Sequence, residues 1–85
     1  MGTLVVLDCI LRRLLFIELS KKDLNTLEKK YENNIEEFVI EKGIDEKFSF
    51  NADCAHMELI TDDEEVEIYK CNNKSNEQTR VYLTA

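Results

Sequence analysis

The chain has no proline, no tryptophan, two glycines and one histidine in 85 residues. Without proline or glycine-rich stretches there is no flexible linker, and 85 residues suit a single domain spanning 1–85. Its three cysteines, Cys9, Cys54 and Cys71, are an odd number without a C-x-x-C pair. That excludes a disulfide framework and fits a reducing, cytoplasmic setting. One histidine and three serines leave little for a hydrolytic triad. There is no glycine-rich phosphate loop, no G-x-S-x-G and no H-E-x-x-H. A non-enzymatic protein with no cofactor and no resident metal is therefore expected.

What the chain does have is acid, and it is concentrated. Residues 1–30 hold six basic and four acidic residues, a net +2. Residues 31–67 hold two basic and thirteen acidic residues, a net −11. Residues 68–85 hold three basic and one acidic, again +2. The formal net charge of −7 hides this division. A block of this kind attracts a basic partner and repels nucleic acid and anionic membrane. The lysine-, glutamate-, asparagine- and isoleucine-rich composition is common in A+T-rich genomes, phage genomes among them.

Leu4–Leu19 is the main apolar segment, with twelve apolar residues of sixteen. Asp8, Arg12, Arg13 and Glu18 interrupt it. A membrane-spanning helix needs about 20 mostly apolar residues, and a charge near its centre costs about 2.5–3.5 kcal/mol. A signal peptide needs a basic start and an uninterrupted apolar core. Neither pattern fits, so a core or interface element is expected. Val5, Val6, Ile10 and Ile17 favour strand, whereas Leu11–Leu15 favours helix, so residues 3–19 are strand or helix. In the helical case Asp8 and Arg12 would pair at i,i+4.

Ser20 with Asp23 forms a capping-box signature. Leu24, Leu27, Tyr31, Ile35 and Phe38 follow at three- and four-residue steps, and Gly43 supplies a stop. This predicts one long amphipathic helix over about 21–42, about 33 Å at 1.5 Å per residue. Its charges would oppose its dipole, with lysines in the first half and Glu32, Glu36, Glu37 and Glu41 in the second. Either those acids serve a partner, or burial of the apolar stripe outweighs the small local cost.

Beyond Gly43 the period changes to two, at Phe48/Phe50, Met57/Leu59, Val66/Ile68 and Val81/Leu83. The expected fold is α+β, the long helix packed on a three- to four-stranded antiparallel meander with turns near Asp62-Asp63 and Asn72–Gln78. A hairpin across Asp62–Glu65 would set His56 opposite Cys71, with Cys54 nearby. That trio resembles three zinc ligands without a fourth, and its spacing matches no metal motif. The surrounding acids would raise the thiol pKa values and work against a Cys–His nucleophile.

The acidic block is the leading functional feature. Glu32, Glu36, Glu37, Glu41, Asp62, Asp63, Glu64, Glu65 and Glu67 are the candidate partner-binding residues. Three readings stay open: a solvated face, an interface for a basic protein, or a carboxylate track imitating duplex phosphates. The expected function is a small acidic binding protein for a basic partner. Its sharpest version inhibits a nucleic-acid-binding enzyme, as a phage-encoded anti-defence protein would. The alternative is a structural or adaptor subunit that forms a homodimer or docks through Leu4–Leu19. No direct nucleic-acid or membrane contact is expected.

Overall fold

The computed structural model describes residues 2–83. Residues 3–8 and 13–19 are strand, and they form a hairpin. β1 (Gly2–Asp8) and β2 (Arg13–Leu19) pair antiparallel from Gly2↔Leu19 to Asp8↔Arg13. Asp8 shapes the turn: its Oδ1 accepts the N–H groups of Ile10 at 3.1 Å and Leu11 at 3.2 Å. Arg12 adopts a left-handed φ of 51°. Asp8 pairs across the hairpin with Arg13, at 3.6 Å, rather than with Arg12. The Arg13 guanidinium also donates to the carbonyls of Phe48 and Ser49.

The capping box at Ser20 forms as read. Ser20 Oγ accepts the Asp23 N–H at 3.1 Å, and Asp23 Oδ2 accepts the Ser20 N–H at 3.2 Å. The single helix over 21–42 does not form. α1 (Lys21–Lys30) stops, Glu32 and Asn33 take φ of 51° and 63°, and α2 (Ile35–Glu41) starts afresh. Asn33 tolerates the left-handed region, and Asn34 caps the new helix by accepting the Glu37 N–H. The break preserves the apolar stripe: Leu27, Tyr31, Phe38 and Val39 are all buried. The Tyr31 and Phe38 rings meet edge to face, 5.6 Å apart. A rigid 33 Å rod would nearly match the longest dimension of the molecule, 35 Å, and could not fold back over the sheet.

Gly43, with φ 67°, follows the Lys42 C-cap of α2, the C′ position its stop role requires. The strand expected at Phe48 and Phe50 is absent. α3 (Ile44–Lys47) occupies the region instead, and Ile44 and Phe48 share the i,i+4 spacing of a helical turn. Ser49 then reverses the chain at φ 57°, which brings Phe50 back into the core.

β3 (Ala55–Ile60) is the strand expected at Met57 and Leu59, but no hairpin follows it. Val66 and Ile68 belong to α4 (Asp63–Asn72). Asp62 caps that helix, its Oδ1 accepting the Glu64 N–H at 2.9 Å. Asp63, Glu64 and Glu65 lie in the first turn and Lys70 in the last, the arrangement the helix dipole favours. β4 (Glu77–Tyr82) then joins β2 in parallel, from Arg13↔Glu77 to Glu18↔Tyr82.

The sheet order is β3-β1-β2-β4. The sheet is mixed, and four short helices accompany it, in place of an antiparallel meander with one long helix. Both faces are covered. Leu4, Val6, Leu15 and Ile17 meet α1, α2 and α3 through Leu27, Phe38, Val39 and Ile44. Val5, Leu14, Phe16 and Ile60 meet α4 through Val66. Burial on both faces is why β1 and β2 read as apolar runs with little alternation.

Candidate functional site

The nine candidate acids are all exposed. They form two groups. Glu32 lies in the α1–α2 turn, with Glu36, Glu37 and Glu41 on α2. Asp62 caps α4, which carries Asp63, Glu64, Glu65 and Glu67. α2 and α4 cover opposite faces of the sheet. The nine candidates therefore fall in two acidic patches in space.

Within the α2 patch, Glu32, Glu37 and Glu41 share one electrostatic field. The Glu37 pKa is raised above its ordinary value, first by a hydrogen bond with Glu41, then by partial desolvation and by the charges of Glu41 and Glu32. The helix break removes about half of the expected conflict with the dipole. Lys29 and Lys30 lie in the last turn of α1, and Glu36 and Glu37 in the first turn of α2. Both placements are the ones the helix dipole favours. Glu41, at the end of α2, and Glu32, just past the Tyr31 C-cap of α1, stay near helix C-termini.

The α4 patch is divided again by the helix itself. Asp63, Glu67 and Lys70 face a polar hollow of about 230 Å³ shared with Thr3, Glu18 and Arg80. There the acids are partly neutralised: Lys70 Nζ reaches Glu67 Oε1 at 3.3 Å, and Arg80 Nε reaches Glu18 Oε1 at 3.0 Å. On the other flank, Glu65 and Ile68 face Glu58 and Ile60 of β3 across a groove of about 310 Å³. Tyr69 and Asn72 complete that wall. The Tyr69 phenol is raised above its ordinary pKa by burial and, secondarily, by the Glu58 carboxylate. Ile68 is 58% exposed in this acidic setting.

Glu58 was not among the candidate residues, although its alternation with Met57 and Leu59 already placed it on the face opposite them. The hairpin expected to bring His56 to Cys71 does not exist, because Cys71 lies on α4. All three cysteines are free and exposed. Among the described residues no group of three or more His, Cys, Asp or Glu side chains is placed to hold a metal ion.

The apolar segment Leu4–Leu19 supplies the two central strands, and most of it is buried. What remains accessible is the hairpin tip, where Ile10 is 66% and Leu11 60% exposed. No described helix is long and apolar enough to cross a membrane. Comparison with known proteins finds no matching family, no similar curated protein and no similar solved structure.

Proposed function

We propose that this chain is a non-enzymatic binding protein whose exposed carboxylates engage a basic partner protein. The observation that carries this reading is their lack of internal neutralisation. Among the described residues, Glu67 is the only one of the nine candidate acids in an ion pair. Helix-dipole complementarity accounts for acids in the first turns of α2 and α4. It does not account for the scarcity of ion pairs among them. Unpaired surface carboxylates raise the rate and selectivity of encounter with a Lys- and Arg-rich surface.

The sharpest version of the partner is a nucleic-acid-binding enzyme, with this chain as its inhibitor. Two patches on opposite faces suit a cleft or a pair of basic arms better than one straight duplex channel. Charge reversal tests the reading. Glu36, Glu41, Glu64 and Glu65 changed together to Lys should abolish the complex, while the same four changed to Gln should weaken it. Undiminished capture of the partner by the Lys variant rejects the proposal. Competition by duplex DNA for the captured enzyme then distinguishes phosphate imitation from a separate acidic interface.

A second reading rests on the exposed Ile10 and Leu11. It makes the β1–β2 tip the docking element of a structural or adaptor subunit, with itself or with another protein. A fall in solution mass or loss of a partner on changing both residues to Ser supports it. An unchanged, concentration-independent monomer counts against it.

A further inference from the structure

The strand order leaves β3 with one neighbour, β1. An antiparallel pair satisfies alternate backbone groups of each strand, so every second residue of Ala55–Ile60 turns its N–H and C=O away from the sheet. Natural edges are usually defended by charged side chains, lysine above all, by proline, a bulge or a covering element. The one acid on β3, Glu58, repels an acidic strand but not a basic one. β3 contains neither lysine nor proline, and its ladder to β1 runs unbroken from Thr3↔Ile60 to Asp8↔Ala55. The surrounding chain is also unusual: from Phe48 to Tyr69 there is no Lys or Arg.

The two sides of this edge differ. On one face Met57 and Leu59 are half-buried against the larger core. On the other, Glu58 and Ile60 form one wall of the groove completed by Glu65, Ile68 and Tyr69 of α4. Apolar groove surface with carboxylates at its margin suits a long basic side chain, whose methylene stem packs while its charged end meets the acids. The opposite edge, β4, differs in charge. Arg80 is on it, and Lys70 and Lys74 line the hollow they share with Gln78.

We propose that the edge of β3 accepts an extended basic segment of the partner protein as a fifth strand, with alternate Lys or Arg side chains lying in the groove between β3 and α4. This rests on the acidic-interface reading above and gives it a place and a binding mode. Backbone hydrogen bonds supply affinity, and the alternating faces supply selectivity. Basic residues of the segment point toward Glu58 and Glu65, and apolar residues point toward Met57 and Leu59. A second copy of this chain is a poor occupant, because β3 against β3 brings together two acidic stretches that each lack Lys and Arg from Phe48 to Tyr69.

The test uses the isotope-labelled full chain and a capped peptide of alternating Lys and Val. Two further versions are N-methylated on the Lys residues or on the Val residues, which blocks one or the other edge of an extended strand. The expected result is that one methylated form binds at least tenfold more weakly while the other retains its affinity. Amide exchange should also slow at alternate residues of Ala55–Ile60. Equal binding of both methylated forms, or no protection at β3, overturns strand addition. If Glu58→Gln and Glu65→Gln still weaken the peptide in that case, the acidic-interface reading survives. If neither this peptide nor an equally charged Lys–Gly peptide binds at low salt, both fail. Self-association that protects β3 without peptide also overturns the proposal.

Discussion

Asn34 Oδ1 accepts the backbone N–H of Glu37 at 3.1 Å, and this bond marks where the lysine-rich helix ends and the glutamate-rich helix begins. With the chain broken there, Lys29 and Lys30 sit at a C-terminus and Glu36 and Glu37 at an N-terminus. In the interior of one continuous helix these four charges would have no dipole end to complement.

Replacing Asn34 with Ala should therefore cost about 1 kcal/mol, the usual value of a side-chain N-cap. Asn34→Asp should retain most of the stability, since its carboxylate can accept the same bond. Urea denaturation of the three proteins measures this. Equal midpoints for Ala and wild type would contradict the capping role.

Glu37 gives a prediction with a sign. Its raised pKa means the folded chain holds that proton more tightly than the unfolded chain. Stability from this group is fully present below the ordinary carboxylate pKa and is lost as pH rises through the raised value. Glu37→Gln should therefore raise the melting temperature at pH 7, and the gain should vanish near pH 3. Thermal melts at the two pH values check it. A gain independent of pH would assign the effect to something other than the hydrogen bond with Glu41, desolvation and the charges of Glu41 and Glu32.

The sequence was legible where one local signal acted alone. Ser20 with Asp23 marks a helix start, Gly43 marks a stop, and Met57 with Leu59 marks a strand. It misled where one spacing served two structures. Tyr31, Ile35 and Phe38 keep helical spacing across a break, because the turn at Glu32 and Asn33 preserves the phase of the stripe. Asn33-Asn34 was the available signal for that break. Val66 and Ile68 alternate like a strand, but Asp62 followed by Asp63, Glu64 and Glu65 is a capped helix start. The nine acids could be named from sequence. Their separation onto two faces could not, because it depends on β4 returning in parallel beside β2.

Ile10 and Leu11 should matter little to folding. Changing both to Ser should shift stability by no more than about 0.5 kcal/mol each, as for exposed positions without special partners. Phe16→Ala should cost about 3–5 kcal/mol, since Phe16 is buried between the central strands and α4. Chemical denaturation distinguishes the two. A large loss at the hairpin tip would mean that it is packed in solution, against a second copy for example.

Tyr69 reports on the groove. Glu58→Gln should lower its phenol pKa partway toward the ordinary tyrosine value, and burial should keep it raised. Ultraviolet titration, with Tyr69→Phe as the reference, isolates this phenol from Tyr31 and Tyr82. No change on removing the Glu58 charge would contradict the arrangement of the groove walls.

The central claim is that unpaired carboxylates on α2 and α4 hold a basic partner. The most direct measurement is affinity capture from lysate with wild type and with the variant in which Glu36, Glu41, Glu64 and Glu65 are all changed to Lys, after both are shown to fold. Each is washed at low and at high salt, and the retained proteins are identified. The account predicts a basic protein held by wild type at low salt, released at high salt and absent from the reversed variant. The same protein held equally by both variants, or undiminished at high salt, would contradict it.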